Sequence, residues 1–172
     1  TVVTLTATPT SPSNFDGWSG GGCSGTGTCT ITMSAAKSVT ATFTGQEPCP
    51  TIIRWKGEYW ANTSLSGPVA LCRDDQTVEM DWEYGSPDPI IPPESFSARW
   101  TRSLEFTTGS YIFHLGHDDG ARLFIDDALK IDAWTTCCVS DTVQVQLQAG
   151  QHIIRLEMFE SGGAANIELW WE

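Results

Sequence analysis

Thr142-Val-Gln-Val-Gln-Leu-Gln148 sets Val143, Val145 and Leu147 in alternation with Gln144, Gln146 and Gln148. Side chains on an extended chain point alternately to opposite faces, so this segment is a strand with one dry and one wet face. Antiparallel sheets tolerate that division, whereas parallel sheets are covered on both sides. Similar short runs are expected as strands at Thr77–Trp82, Phe96–Trp100, Ser110–Leu115, Ala121–Asp126, Gln151–Phe159 and Ala164–Trp171. Turn signals separate them every eight to twelve residues, the spacing of a sandwich or barrel. No segment carries an apolar stripe of helical period. The expected fold is all-β, an antiparallel β-sandwich of roughly nine to eleven strands.

The 172 residues carry 9 basic and 21 acidic side chains, a net charge of −12. Such a surface repels nucleic acid and anionic lipid, which excludes a generic binder of either. No apolar run approaches the ~20 residues of a membrane-spanning helix, so membrane insertion is not expected. Eight tryptophans and seven phenylalanines exclude a disordered chain. The charge is unevenly spread: residues 1–47 hold only Lys37, Asp16 and Glu47, and the remainder holds eight basic and nineteen acidic residues. Between the two lies TGQEPCP, residues 44–50, with one glycine and two prolines, as suits a short stiff connection. The expected organisation is a small module at 1–44, a linker at 45–51 and the sandwich at 52–172.

In the first module Val3, Leu5 and Ala7 alternate with threonines, as do Cys29, Ile31 and Met33, and Val39, Ala41 and Phe43. These read as three strands, with Phe15 and Trp18 in a Gly/Ser-rich loop. Six cysteines stand at 23, 29, 49, 72, 137 and 138. They lack the paired spacing and neighbouring histidines of a zinc site. Cys23 and Cys29 flank a glycine-rich segment that can fold back, so a local disulfide is expected. The other four allow three pairings. Consecutive strand residues point apart, so Cys137 and Cys138 are each expected to take a separate partner, Cys49 and Cys72 between them. Disulfides mark an oxidising compartment, which implies a secreted or cell-surface protein. With no leader at its start, the chain is expected to be cut from a longer exported polypeptide.

Two resemblances follow from particular motifs. Gly17-Trp-Ser-Gly20, Cys23-Ser-Gly-Thr-Gly-Thr-Cys29 and Val39-Thr-Ala-Thr-Phe43 resemble the internalin-type bacterial repeat, a spacer on surface proteins. In the second part the motifs are Gly57-Glu-Tyr-Trp-Ala-Asn62, Gly85-Ser-Pro-Asp-Pro89, Phe96-Ser-Ala-Arg-Trp-Thr101, Gly109-Ser-Tyr-Ile-Phe113, Asp118-Asp-Gly-Ala-Arg-Leu-Phe-Ile-Asp126 and Ala149-Gly-Gln-His-Ile-Ile-Arg-Leu-Glu157. In that order they resemble the PA-fourteen domain, the β-sandwich family named after the anthrax protective antigen. That resemblance implies a calcium-dependent carbohydrate-binding module of the lectin or adhesin kind. Other members bind protein or have no known ligand, so a structural or docking module stands as the alternative.

The resemblance also implies a site. Asp118 and Asp119 match a pair that the sugar-binding members join by a cis peptide, which brings both carboxylates to one side. Calcium takes six to eight oxygens, so the pair needs help. The loop from Glu160 to Asn166 stands at the right distance along the chain to supply it, through Asn166 or Glu160. Two sugar hydroxyls would complete the shell. Trp134, in a loop, is the candidate platform for the sugar ring. Without a ligand, Asp118-Asp119-Gly120 reads as an ordinary turn.

Other residues carry less. Asp74-Asp75 is a poor second calcium site, since a lone acidic pair offers too few oxygens. Trp82, Trp100 and Trp170 are expected in the core, with Trp60 and Trp171 undecided. His117 is expected as a solvated loop residue that could orient the aspartates, and His114 is given no role. Asn62-Thr-Ser64 matches a glycosylation sequon, without meaning in a bacterial chain. No serine-hydrolase, zinc-protease or phosphate-loop motif is present, and no spacing fixes a glycosidase pair, so catalysis is not expected.

Overall fold

The computed structural model describes residues 1–9, 13–45, 49–135 and 138–172. The chain divides into two compact units, Thr1–Pro48 and Cys49–Glu172. That division falls within the linker expected at 45–51.

The first unit holds four strands rather than three. β1 (Val2–Leu5) pairs with β3 (Cys29–Thr32), and β2 (Ser13–Ser19) pairs with β4 (Thr40–Gly45), both antiparallel. The segment expected as a Phe15/Trp18 loop is β2. A bulge between Phe15 and Gly17 inserts a residue into the strand, which breaks the period-two pattern and hides it from sequence reading. Gly17 takes φ +142°, and a Cβ there would meet the Gly25 carbonyl oxygen at 3.1 Å. Cys23, Cys29 and Ile31 form a small buried cluster with Leu5, Trp18 and Val39 against it. The Cys23–Cys29 disulfide closes it.

The second unit is a sandwich of ten strands. β5 (Trp55–Trp60), β6 (Leu71–Asp75), β8 (Phe96–Phe106), β10 (Gly120–Ile125), β11 (Ala128–Ala133) and β13 (Gly150–Glu160) form a six-stranded sheet in the order β11-β10-β13-β8-β5-β6. β7 (Glu79–Glu83), β9 (Gly109–Asp118), β12 (Val139–Leu147) and β14 (Ala165–Trp171) form the other, ordered β12-β9-β14-β7. Every pairing is antiparallel. Apolar alternation turns Phe96, Ala98 and Trp100 of β8, Phe113 and Leu115 of β9, Ile154, Leu156 and Met158 of β13, and Ile167 of β14 into one core. Each aliphatic chain so buried contributes about 1.5–3 kcal/mol over its exposed state.

Trp100 is fully buried, Trp60 nearly so, and Trp82 and Trp171 pack against the core. Trp170 departs from expectation. It is 44% exposed, because it stands on β14 between Leu169 and Trp171 with its face turned outward, where His114 stacks on it at 3.6 Å.

The disulfide expectation also needs correction. Cys49 is bonded to Cys72, with Cα atoms 5.0 Å apart, so neither takes Cys137 or Cys138. Cys72 lies in β6 opposite Glu58, and the bond ties the start of the unit to that strand. Cys138 is disulfide-bonded, and Cys137 lies outside the described residues. Cys138 precedes β12 in a left-handed conformation, φ 60°, and so lies outside the strand geometry on which the expectation rested.

Two charged groups in the six-stranded sheet are satisfied internally. Asp75 accepts hydrogen bonds from the Tyr59 hydroxyl, Trp100 Nε1 at 2.8 Å and Arg73 Nε. Burial, with Asp75 beside it, pushes the Tyr59 hydroxyl far above the usual tyrosine range and keeps it a donor. Gly57 makes room: a Cβ there would stand 2.1 Å from Asp75 Oδ2. Glu157 is held by Arg99, Arg122 and Arg155 at 2.9, 2.8 and 2.6 Å. Burial raises its pKa, but the hydrogen bonds from Arg155 and Arg99 outweigh burial and keep it below the usual carboxylate range.

The Asp74-Asp75 pair therefore divides its work. Asp74 accepts the Ile53 and Arg54 backbone N–H groups at 3.2 and 2.7 Å, away from the Asp75 cluster. Asp75→Ala should cost about 3–5 kcal/mol in urea unfolding, because it strands buried donors. Asp74→Asn, which keeps an acceptor oxygen, should cost less than about 0.5 kcal/mol.

Candidate functional site

The site lies where the chain twice crosses between sheets. β9 ends at Asp118 in the four-stranded sheet, and β10 begins at Gly120 in the six-stranded one, with Asp119 between. β13 ends at Glu160, and β14 begins at Ala165 back in the first sheet. Gly120 pairs with Phe159 and Asn166 with Asp118, so the two crossings run side by side. Gly120 has no room for a side chain: a Cβ would meet Phe159 Cε1 at 2.3 Å and the Trp134 carbonyl oxygen at 2.8 Å.

The Asp118–Asp119 peptide is cis. Oxygens of Asp118, Asp119 and Glu160 all lie within 4.8 Å of one another. Asp119 Oδ2 accepts the Ser161 backbone N–H at 2.8 Å and the Ser161 hydroxyl. Glu160 is fully buried, and neither of its oxygens has a hydrogen-bond partner among the described residues. A buried carboxylate without a partner is costly to ionise. Burial first, then the Asp119 charge, pushes Glu160 up to about 7, with the nearby Gly162 amide opposing this in part. Glu94 adds negative charge from outside and sits where a Cβ on Gly162 would come within 2.6 Å of its carboxylate. Asp118 is likewise raised, by burial and then by Asp119, against a partly compensating His117. Among the described residues this is the one group of three acidic, histidine or cysteine side chains close enough to share an ion.

His117 is not the solvated residue expected. It is 2% exposed, with Nδ1 2.6 Å from the Asp119 carbonyl oxygen and Nε2 3.0 Å from Asp141 Oδ2 of β12. Its role was legible in the inward phase Phe113, Leu115, His117 of β9. Cys138 Sγ approaches Asp118 Oδ1 at 3.1 Å. Asn166 stands across the β9–β14 ladder from Asp118 and is half-buried. Trp134 follows β11 and packs edge-on to Phe159 at 4.9 Å, with the Arg122 guanidinium 3.9 Å from its ring centre. It walls the Gly120 crossing, with a cation against its ring. Ser161, Asp141 and Glu94 were not foreseen, since only the fold brings them to the pair.

Comparison with known proteins places both parts of the chain in known families. Residues 55–172 match the PA14 domain, and residues 1–47 match the divergent InlB B-repeat domain. Anti-sigma-I factor RsgI3 of Acetivibrio thermocellus is 34% identical over 119 residues, 67% of this chain and 18% of its own length. A solved anti-sigma factor domain-containing protein from Clostridium clariflavum shares 28% identity and a TM-score of 0.64, over 87% of this chain and 57% of that one. The chain thus spans under two thirds of both relatives. A PA14 sugar-binding domain from an RTX adhesin has a TM-score of 0.59 at 15% identity, over 71% of this chain and 90% of its own; that likeness is one of fold. With its sandwich matched across 55–172, the chain belongs to the PA14 domain family, behind an InlB-type repeat unit.

Proposed function

We propose that the sandwich is a noncatalytic, calcium-assisted carbohydrate-binding module of a larger secreted or cell-surface bacterial protein. The observation that carries this reading is the convergence of three carboxylates within 4.8 Å, one of them buried and unpartnered. Carboxylate oxygens are the hard donors calcium prefers. Asp118 and Asp119 would hold the ion from one crossing and Glu160 from the other, with Asn166 alongside as an amide oxygen. Vicinal hydroxyls of a sugar would complete the shell, with Trp134 at the margin. The fold shared with a sugar-binding adhesin domain supports the ligand class, and the surface-type repeat and disulfides support an extracellular setting.

Glycosidases hold their two carboxyl groups about 5 to 9.5 Å apart, around the scissile bond. Here three carboxylates converge, with oxygens within 4.8 Å of one another, an arrangement that suits an ion better than a bond held between two carboxyl groups. The second reading, a structural or docking module without a sugar, draws on the anti-sigma factor relatives, in whose longer chains such a unit could serve only as a spacer. Calcium titration followed by a glycan array separates the two.

The expected outcomes are these. Removing calcium with EGTA abolishes glycan binding on the array and lowers the melting temperature of the sandwich, because the ion binds the folded state alone. Asp119→Asn weakens calcium affinity at least about tenfold by calorimetry, since the amide keeps an acceptor for Ser161 and loses the charge; Asp74→Asn leaves it unchanged. Calcium affinity also falls as pH drops through about 7, where Glu160 takes up a proton. In the metal-free protein the sign reverses. A carboxyl raised from 4.5 to about 7 binds its proton better folded than unfolded, so stability declines as pH rises between those values. Glu160→Gln removes most of that decline in thermal unfolding and of the pH dependence of calcium binding near 7, leaving the smaller share from the raised Asp118 at lower pH.

A further inference from the structure

β8 turns Phe96, Ala98, Trp100, Leu104 and Phe106 toward the core, and Arg102 stands in the same phase. An arginine in an inward-facing row normally meets a carboxylate. Among the described residues no carboxylate lies within ion-pair distance of Arg102. The acids nearest in sequence to the facing loop are committed elsewhere, Asp75 to Tyr59, Trp100 and Arg73, and Asp74 to the Ile53 and Arg54 amides. The Arg102 guanidinium lies 5.9 Å from the Trp55 ring centre and lines a cavity of about 280 Å³. Trp55 and Trp171 give this cavity aromatic walls, the outward-turned Trp170 borders it, and Gln76 and Thr77 give it hydrogen-bonding groups. Trp170 is 44% exposed yet held in place by the stacked His114 ring.

This cavity is distinct from the carboxylate cluster: it is lined from β5, β8, the β6–β7 connection and the C-terminal end of β14, and none of Asp118, Asp119 or Glu160 borders it. We propose that it is a second, calcium-independent site for a sugar carrying a carboxylate, a uronic-acid unit. A guanidinium with free donors forms charge-assisted, bidentate hydrogen bonds to a carboxylate. An exposed, immobilised indole offers a flat apolar surface to the C–H face of a pyranose ring. Gln76 and Thr77 would reach hydroxyls that an aromatic acid lacks. Arg102 is the charged side chain among those lining the cavity, so local charge complementarity favours an anionic ligand there over a neutral one.

The test uses the full chain in EGTA, so the result does not depend on the calcium reading. Methyl β-D-glucuronide, methyl β-D-glucoside and benzoate are titrated separately, following the indole N–H signals of the tryptophans by NMR. The glucuronide should bind saturably and at least about tenfold more tightly than the glucoside, shifting the Trp170 and Trp171 signals. Arg102→Met, which keeps the apolar stem, should reduce glucuronide affinity about tenfold with the melting temperature retained. Trp170→Ala, at an exposed position, should weaken binding too, and serves if Arg102→Met does not fold. Equal binding of glucoside or benzoate, no binding of glucuronide, or unchanged affinity in the variants that fold would overturn the proposal.

Discussion

Three carboxylates held within 4.8 Å of one another repel, and a proton or a cation between them relieves that repulsion. The sandwich imposes this constraint by bringing two sheet-to-sheet crossings side by side. Asp118 and Asp119 come from one crossing and Glu160 from the other, so the geometry belongs to the fold and not to a flexible loop. Ser161 fixes Asp119 from the second crossing, and His117 fixes its carbonyl from below, with Asp141 behind. Glu160 has no hydrogen-bond donor among the described residues, and burial and the Asp119 charge raise its pKa.

The remainder of the unit handles its buried charge differently. Asp75 and Glu157 are each surrounded by donors, Tyr59, Trp100 and Arg73 for the first and three arginines for the second. Both are satisfied internally and require nothing from solvent. Glu160 and Arg102 are the contrasting cases: among the described residues Glu160 is buried without a hydrogen-bond partner, and the half-buried Arg102 has the Trp55 ring near it but no carboxylate within ion-pair distance. Groups of that kind are rare in folded proteins and are where ligands are to be sought. The two readings offered for this chain rest on those two residues, at separate places in the same sandwich.

Much of the fold was legible in alternation alone. Gln144, Gln146 and Gln148 opposite Val143, Val145 and Leu147 announced β12, and the seven expected strands overlap observed ones. What escaped notice had local causes. The bulge at Gly17 concealed β2, and an outward phase on β14 made Trp170 look like core. The Cys49–Cys72 bond depends on a spatial approach that four cysteines and three possible pairings leave open. The Asp118-Asp119 pair and the Glu160 loop stood out only through family motifs, since Asp-Asp-Gly is ordinary turn chemistry. Arg102 carried no signal at all; its inward phase becomes meaningful once the absence of a carboxylate beside it is seen.

The most direct test of the central claim is a crystal structure of the chain grown with calcium and examined for anomalous scattering. The account predicts one strong peak coordinated by oxygens of Asp118, Asp119 and Glu160, at distances of about 2.3–2.6 Å. A calcium-saturated crystal with no ion at that cluster, or with the ion bound only elsewhere, would contradict it.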